Sequence, residues 1–326
     1  MKLIIQIPCF NEEKTLAGTI ADLPRSLAGI DEIETLIIDD GSTDGTVKTA
    51  RSLGVDHIVS YPNNRGLAYA FQTGVDACLR LGADIIVNTD ADNQYRGADV
   101  EKLILPILEG RAEIVVGERP IDKIEHFSAR KKRFQKFGSM VVRIASGTDI
   151  PDAPSGFRAY TRDAALRINV FNEYTYTLET IIQAGMNKTS ITSVPIRTNP
   201  EERQSRLFKS MWSYMRRSAS VIIRSIMMYR PLKFFISIGA VIAAVGLAFI
   251  IRFIVIAITD SPTGHIQSLV LSALLIMVGI QFIVSGLQAD LISANRKILE
   301  DIQYKVRKQY YSESRDEKAE DSDGRP

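Results

Sequence analysis

The sequence predicts an α/β domain built on a mostly parallel sheet, followed by amphipathic helices and a two-helix transmembrane hairpin. Over residues 1–200, short apolar runs of strand length alternate with helical segments. This alternation is typical of a parallel sheet that is covered by helices on both faces. Two long apolar stretches follow within residues 233–290, and each is long enough to cross a lipid bilayer.

Six segments are predicted to form the strands of the sheet, because each is a short apolar run next to polar or turn residues. They are residues 3–7, 34–39, 57–61, 84–87, 113–117 and 191–196. Helices are expected over residues 11–23, 46–53, 67–81, 99–108, 127–146 and 177–184. The first helix has Asn11 as its expected N-cap, since asparagine side chains accept hydrogen bonds from first-turn N–H groups.

Composition narrows the class of protein. The chain has 326 residues and a formal net charge of +2, which allows one large domain with extensions, or two domains. Its two cysteines, Cys9 and Cys78, lie among apolar residues and predict a reducing compartment without a disulfide framework. The basic stretch 203–233 is interleaved with long apolar side chains, so nucleic-acid binding is not expected.

Polar sequences at 8–12, 39–42 and 90–92 follow three of the predicted strands. In parallel sheets, ligands bind beyond the carboxyl ends of the strands, so these sequences are expected to converge on one edge. Asp90 and Asp92 are spaced two residues apart after an apolar run. Two carboxylates at one spot repel each other unless a cation such as Mg²⁺ or Mn²⁺ lies between them. The spacing alone also fits an ordinary acidic turn.

Residues 201–232 are predicted to form amphipathic helices in a membrane interface, since Leu207, Met211 and Met215 recur at helical spacing among basic residues. The predicted crossings are residues 234–258 and 268–287. As a helix, the first would extend about 37 Å, enough for roughly 30 Å of hydrocarbon. The alternative is a buried hairpin in a soluble protein.

The connecting loop, residues 259–266, contains no Lys or Arg, whereas both outer flanks of the hairpin are basic. The positive-inside rule therefore predicts that the α/β domain and the C-terminus are cytoplasmic. Residues 291–309 are expected to form a cytoplasmic helix. The charged tail 310–326 contains few apolar residues and is predicted to be disordered.

Five motifs in a fixed order resemble those of a known family. They read Pro-Cys-Phe-Asn-Glu-Glu at 8–13, Asp-Asp-Gly-Ser-Thr-Asp-Gly-Thr at 39–46, Asn-Arg-Gly at 64–66, Asp-Ala-Asp-Asn-Gln at 90–94 and Ser-Gly-Phe-Arg at 155–158. Together they resemble glycosyltransferase family 2, whose fold is the Rossmann-like GT-A fold. The likeness covers residues 1–200. It is nearest to the polyprenyl-phosphate glycosyltransferases, such as dolichol-phosphate mannose synthase and the bactoprenol glucosyltransferases, and the hairpin matches the bactoprenol type.

The resemblance implies an inverting hexosyltransferase with a nucleotide-diphospho-sugar donor, a polyprenyl-phosphate acceptor and a Mg²⁺ or Mn²⁺ cofactor. The donor would be a UDP- or GDP-sugar, and the acceptor undecaprenyl or dolichyl phosphate. Carried over residue by residue, the nucleoside contacts would be Pro8, Phe10, Glu12 and Asp40, and the metal ligands would be Asp90, Asp92 and Gln94.

A lipid phosphate is already ionised near neutral pH, so it needs positioning more than deprotonation. Basic residues are therefore expected beside the metal. The candidates are Arg119, Lys131, Arg133, Arg203 and Arg206. Individually, each also fits a solvated or lipid-facing charge. The family commonly has Arg-x-x-Gly-x-Ser-Lys after its last strand, and the counterpart at 202–206 reads Glu-Arg-Gln-Ser-Arg, with Gln where Gly is frequent.

Asp152 shortly precedes the Ser-Gly-Phe-Arg motif and is either a base or sugar contact, or a cap of its own loop. With Asp92 and Arg203 it makes up the candidate catalytic set. Arg158 is expected to pair with a carboxylate rather than to contact phosphate.

The protein is thus predicted to be a multi-pass enzyme of the inner cell membrane, with the lipid bilayer as a partner and homo-oligomerisation left open. A processive polysaccharide synthase is one alternative, but the Gln-x-x-Arg-Trp sequence and the further membrane helices usual in that class are missing from this sequence. A catalytically silent nucleotide-sugar-binding subunit is a second alternative, and the presence of Asp40, Asp90 and Asp92 argues against it.

Overall fold

The computed structural model describes residues 1–120, 129–170, 175–200, 216, 219–220, 223–224, 227–259 and 266–323. Side chains are described from residue 138 in the stretch 129–146, and up to residue 313 at the C-terminus. The chain divides into two compact units. The first is Met1–Ile222 together with Gln303–Pro326, and the second is Ile223–Ile302.

The first unit is built on a seven-stranded mixed sheet. Its strands are β1 (Lys2–Cys9), β2 (Glu32–Asp39), β3 (His57–Ser60), β4 (Ile85–Asn88), β5 (Ile114–Glu118), β6 (Arg158–Thr161) and β7 (Ile191–Pro195), in the order β3-β2-β1-β4-β6-β5-β7. Strand β6 runs antiparallel to both of its neighbours, and the other pairs are parallel. The sequence did not predict β6, because four residues beginning with an arginine do not form an apolar run.

Helices cover both faces of this sheet. They are α1 (Leu16–Asp22), α2 (Thr46–Ser52), α3 (Leu67–Arg80), α4 (Val100–Leu108), α5 (Ala129–Ser146), α6 (Arg162–Arg167) and α7 (Thr177–Met186). Because successive strand residues point to opposite faces, Leu3 and Ile5 belong to one buried cluster and Ile4 to another. The two clusters are the hydrophobic cores on the two faces of the sheet.

Helix α1 begins at Leu16, with Thr15 at its N-cap, so the prediction that Asn11 caps it is wrong. Asn11 adopts a left-handed backbone conformation with φ of 56°, which asparagine tolerates better than most residues. Its side chain accepts a hydrogen bond from Thr43 N–H at 2.8 Å. The asparagine therefore joins two loops instead of starting a helix.

The second unit contains helix α8 (Pro231–Thr259) and the first part of helix α9 (Ile266–Asp323). By length and composition, both helices are able to cross a membrane, as the sequence predicted. They approach closely at two glycines, because a Cβ added to Gly239 would lie 2.6 Å from the carbonyl oxygen of Gly279. Small residues at a helix contact allow such close packing within a membrane.

The end of α9 belongs to the first unit and packs against α3 and α6. The Arg307 guanidinium donates hydrogen bonds to the carbonyl oxygens of Leu166 and Ile168, each at 3.0 Å, and forms an ion pair with Asp76. Tyr311 is only 5% exposed. These contacts hold α9 against the first unit as far as Tyr311, and the helix extends to Asp323, whereas the sequence predicted a disordered tail from residue 310.

Candidate active site

The loops that follow β1, β2 and β4 lie side by side at one edge of the sheet. Strand β1 pairs with both β2 and β4, and the register places Cys9 beside Asp39 and Gln6 beside Asn88. The polar sequences 8–12, 39–42 and 90–92 begin at Cys9, Asp39 and Asn88 or within two residues of them. The structure therefore brings the Pro8–Glu12 motif, the Asp39–Ser42 motif and the Asp90–Asp92 motif to a common edge.

The first two of these loops are interlocked by hydrogen bonds. Asn11 N–H donates to Ser42 Oγ at 2.9 Å, and Glu12 N–H donates to Thr46 Oγ1 at 2.8 Å. The Glu12 carboxylate accepts a hydrogen bond from the Thr15 hydroxyl at 2.9 Å. Pro8 is buried within β1, and Phe10 is 39% exposed. Of these residues, Phe10 offers its side chain most openly to a ligand.

Asp40 organises the entrance to helix α3. It is 3% exposed, and its two carboxylate oxygens accept hydrogen bonds from Arg65 N–H at 2.7 Å and Gly66 N–H at 2.8 Å. The Arg65 guanidinium lies over the rings of Tyr61 and Tyr69, at 5.2 and 4.8 Å from their centroids. Asp40 thus ties the end of β2 to the Asn-Arg-Gly motif, and its contact with a base or ribose stays a prediction.

Asp90 and Asp92 form a cluster of negative charge at the end of β4. Burial, and then the charge of Asp92, raise the pKa of Asp90 to about 7, although Arg119 and Tyr95 oppose the rise and Glu12 adds to it. Asp92 accepts a hydrogen bond from Gln94 N–H at 3.2 Å. A carboxyl group with so high a pKa is held where a positive charge would stabilise its ionised form.

The cluster fits a hard divalent cation. Its ligands would be two carboxylates and the side-chain amide of Gln94, all of them oxygen donors of the kind that Mg²⁺ and Mn²⁺ prefer. No group of three or more acidic, histidine or cysteine side chains that could hold a metal occurs within the described ranges. Two carboxylates still suffice, because Mg²⁺ is usually held by one or two of them together with substrate phosphates.

Arg119 and Asp152 form a buried ion pair beside this cluster. Asp152 is fully buried, and it accepts hydrogen bonds from Arg119 Nε at 2.7 Å, Nη2 at 2.9 Å and N–H at 3.2 Å. Burial alone would lower the pKa of Arg119, but Asp152, Tyr95 and Asp90 raise it well above its ordinary value. Arg119 therefore remains charged, and Asp152 fixes its orientation.

Arg158 has a different role from the one that the sequence predicted. It is fully buried and donates hydrogen bonds to the carbonyl oxygens of Ser155 and Ala153 and to the Thr180 hydroxyl, at 2.7 to 2.8 Å. The expected carboxylate partner is replaced by these three oxygens. Arg158 thus holds the loop between Asp152 and β6 in shape.

Sequence reasoning missed Tyr95 and its contact with Gly156 of the Ser-Gly-Phe-Arg motif. The Tyr95 hydroxyl accepts a hydrogen bond from Gly156 N–H at 3.0 Å, and hydrogen bonding by Tyr95 acts to lower the pKa of Asp90 against the larger effect of burial. A Cβ added to Gly156 would lie 2.9 Å from Asp90 Oδ1. A tyrosine inside a polar loop produces no periodic signal, so only the fold reveals this contact.

For two of the other four basic candidates the structure describes the backbone alone, and the other two lie outside the described residues. Lys131 and Arg133 lie on α5, in the part whose side chains are not described, and Arg203 and Arg206 lie outside the described residues. Just before them, Asn199 N–H donates to Gln94 O at 2.9 Å and Asn199 Nδ2 to Asn93 O at 3.1 Å. The chain that continues to Arg203 therefore leaves from beside the Asp90–Gln94 loop.

Comparison with known proteins identifies the relatives of this chain. The family model described as glycosyl transferase family 2 matches residues 4–168. The chain is 31% identical to the UDP-N-acetylglucosamine--dolichyl-phosphate N-acetylglucosaminyltransferase of Methanococcus voltae, over 59% of this chain and 83% of that protein. It is 26% identical to the polyprenol monophosphomannose synthase of Mycolicibacterium smegmatis, over 60% of this chain and 76% of that protein.

A solved structure supports the fold. Glucosyl-3-phosphoglycerate synthase from Mycobacterium tuberculosis, in complex with Mn²⁺, UDP-glucose and phosphoglyceric acid, superposes with a TM-score of 0.53. The two chains are 19% identical, over 69% of this chain and 78% of the other. At this identity the likeness concerns the fold alone, and it confirms the predicted GT-A architecture.

Proposed function

Because the chain belongs to glycosyl transferase family 2, we propose that it transfers a hexose-type sugar from a UDP- or GDP-sugar to a polyprenyl phosphate. The observation that carries the proposal is the meeting of Asp90, Asp92 and the charged Arg119 at one edge of the sheet. Negative groups that would hold a cation stand there beside a positive group that would attract an anion. A reaction between a nucleoside diphosphate sugar and a phosphate needs both.

On the donor side, the candidate ligands are Asp90, Asp92 and Gln94. A bound Mg²⁺ or Mn²⁺ would neutralise the charge that develops on the departing nucleoside diphosphate. The interlocked loops that contain Phe10 and Asp40 would border the nucleoside, because ligands of such sheets bind beyond the carboxyl ends of the strands. Their hydrogen bonds pre-organise this border before the donor arrives.

On the acceptor side, the chain supplies positive charge and orientation. A phosphate monoester is already ionised near neutral pH, so the attacking oxygen needs to be aligned rather than deprotonated. Arg119 is suited to this task because Asp152 holds its guanidinium with two hydrogen bonds and its backbone N–H with a third. In this proposal Asp152 positions Arg119 and does not act as a base, and Lys131, Arg133, Arg203 and Arg206 complete the basic surround.

The membrane helices support a lipid acceptor. Helices α8 and α9 are long and apolar enough to cross a bilayer, and two relatives are named for dolichyl-phosphate and polyprenol substrates. The basic flanks of the hairpin favour a cytoplasmic location for the sheet. Transfer would then take place at the cytoplasmic face of the membrane, with inversion at the sugar.

The test is a transfer assay with the full chain in detergent or nanodiscs. The protein is incubated with Mn²⁺, a panel of labelled UDP- and GDP-sugars, and either undecaprenyl or dolichyl phosphate. Labelled lipid is expected from at least one donor. Absence of labelled lipid with every donor and both acceptors would overturn the proposal, and binding without turnover would favour the silent subunit.

Thermal shifts with nucleoside diphosphates narrow the choice of donor. A ligand that binds only the folded protein raises its melting temperature. With Mn²⁺ present, UDP and GDP are expected to give unequal shifts, and the larger shift identifies the nucleotide of the donor.

A further inference from the structure

We propose that Tyr95 is a positioning residue that fixes the Asp90 carboxylate against the loop containing Gly156. The inference rests on the proposed function, because it concerns the metal ligand of that reaction. It goes beyond that function by assigning a role to a tyrosine that makes no predicted contact with donor, acceptor or metal.

The ring of Tyr95 is held in one place. Tyr95 is 4% exposed, and its ring stacks on the fully buried Phe157 with 5.2 Å between centroids and 14° between planes. A tyrosine packed in this way cannot turn its hydroxyl group elsewhere without disturbing the core. The hydroxyl therefore occupies a fixed point beside Asp90.

The hydrogen bond that the Tyr95 hydroxyl accepts determines where its own proton can point. A tyrosine hydroxyl has one proton to donate and also accepts hydrogen bonds. Since the Tyr95 oxygen accepts from Gly156 N–H at 3.0 Å, its own proton is available for the Asp90 carboxylate, which lies beside the same glycine: a Cβ added to Gly156 would be 2.9 Å from Asp90 Oδ1. The hydroxyl thus links one backbone amide to one candidate metal ligand.

The other side of Gly156 is also held. Its carbonyl oxygen accepts hydrogen bonds from Asn88 Nδ2 at 2.8 Å and from the Tyr176 hydroxyl at 3.3 Å. Asn88 in turn accepts a hydrogen bond from Gln6 Nε2 at 2.9 Å. The Gly156 peptide is therefore clamped from both sides, and Tyr95 extends this buried network to Asp90.

Hydrogen-bonding groups behind a ligand carboxylate, as Tyr95 is behind Asp90, determine how well that carboxylate is oriented for a metal ion. Loss of an outer partner of a metal ligand typically lowers metal affinity or activity by about 10- to 100-fold. Tyr95→Phe keeps the stacked ring and removes only the oxygen. We expect this variant to bind Mn²⁺ about tenfold more weakly than the unmodified chain.

The experiment measures Mn²⁺ binding by electron paramagnetic resonance of the free ion, with the full chain in detergent and UDP or GDP present. Tyr160→Phe is the matched control, because Tyr160 is an equally buried tyrosine on β6 that lies in the other hydrophobic cluster. Its Mn²⁺ affinity is expected to stay unchanged. Tyr176→Phe, which alters the far side of the Gly156 peptide, should give an intermediate loss.

Recovery of turnover at high Mn²⁺ gives a second readout, because added metal would not restore activity that was lost through a change in structure. If Tyr95 acts through Asp90, the transfer rate of Tyr95→Phe should recover to within about threefold of the unmodified rate at saturating Mn²⁺. Circular dichroism melts confirm that each variant is folded at the assay temperature.

The possible results are distinct. Unchanged Mn²⁺ affinity in Tyr95→Phe, equal losses in Tyr95→Phe and Tyr160→Phe, or no Mn²⁺ binding by the unmodified chain would each overturn the inference. An unmodified chain that binds Mn²⁺ but transfers no sugar from any donor would overturn the proposed function instead.

Discussion

Two aspartates, the partly buried Asp90 and the fully buried Asp99, lie nine positions apart in the chain and have opposite electrostatic environments. Burial would raise the pKa of Asp99, but hydrogen bonds from Arg197 and Lys102 outweigh this effect and hold the pKa below its ordinary value. Arg197 supplies its backbone N–H at 2.6 Å and Nε at 3.0 Å. At Asp90, burial and the charge of Asp92 prevail and raise the pKa to about 7.

The difference separates a structural carboxylate from a functional one. Asp99 has its counter-charge built into the fold, so it fastens the end of β7 to the start of α4. Asp90 has a second carboxylate as its neighbour, and its ionised form would be stabilised by a cation from outside the chain. Perturbed pKa values of this kind cluster at functional sites.

The largest effect is expected from Asp92→Asn. This change removes a charged metal ligand, which is worth several kcal/mol in the transition state, so transfer should fall by about 100-fold or more. The measurement is labelled lipid formed per minute. Glu109→Gln, a change at an exposed carboxylate beyond the end of α4, is the control and should retain full activity.

Stability should respond in the opposite direction. Without metal, Asp92→Asn relieves repulsion against Asp90, so its melting temperature should equal or exceed that of the unmodified chain. Full turnover in this variant would remove the metal role from Asp92, and a large loss of stability would remove the contrast with Asp99.

Asp99→Asn sharpens the comparison because the same chemical change is made at the paired carboxylate. An amide nitrogen cannot accept the hydrogen bonds that Arg197 and Lys102 direct at Asp99. The melting temperature should fall by about 6 °C. Differential scanning fluorimetry in detergent measures it, and a melting temperature equal to that of the unmodified chain would contradict the structural role.

Arg307→Met extends the comparison to a third carboxylate, Asp76. Arg307 donates to Asp76 and to two carbonyl oxygens at the end of α6, and hydrogen bonds to charged groups each contribute about 1.5 kcal/mol or more. Because the pair with Asp76 is partly exposed and water replaces part of the lost bonding, we expect a net loss of about 1.5 kcal/mol, or about 4 °C in melting temperature. Lys297→Met, at an exposed position of the same helix, should have little effect.

The smallest effect is a pH dependence of the metal-free protein. Because the pKa of Asp90 is about 7 in the folded chain and near 4 when unfolded, the folded form binds this proton more tightly. Its contribution to stability therefore decreases as pH rises from about 4 to 7 and stays low above pH 7. Mn²⁺ should stabilise the protein more at pH 8 than at pH 6.

This pH effect is isolated by comparison with Asp90→Asn, which lacks the titrating group. Melting temperatures are measured between pH 5.5 and 8, in EDTA and in Mn²⁺. The unmodified chain in EDTA should lose about 3 °C more than the variant across this range. Parallel curves for the two proteins would show that Asp90 does not titrate there.

Much of the fold could be predicted because its signals are local. Apolar runs located six of the seven strands, and the apolar stripe of α3 predicted residues 67–81 against the observed Leu67–Arg80. Once a parallel sheet is assumed, the residues after its strands must share an edge, so the convergence of Asp40, Asp90 and Asp92 followed from their positions. Strand β6 was not predicted, because its antiparallel pairing depends on neighbours that are far away in the chain.

Within the site, residue identity predicted the candidate ligands but not their surroundings. The sequence left Asp152 with two interpretations, and the fold pairs it with Arg119, 33 residues away. Arg158 was expected to face a carboxylate, and the fold gives it three other oxygens. Tyr95 was not considered at all, since its partner Gly156 lies 61 residues further along the chain.

Apart from β6 and α6, the succession of strands and helices along the chain, the polar strand ends and the two apolar helices were thus decided by the sequence alone, because side-chain periodicity acts between near neighbours. The pairing of Asp99, the orientation of Arg119 and the docking of Arg307 were decided by tertiary structure. Each depends on which groups the folded chain buries together, and burial determines whether a charge needs an internal partner or an external cation.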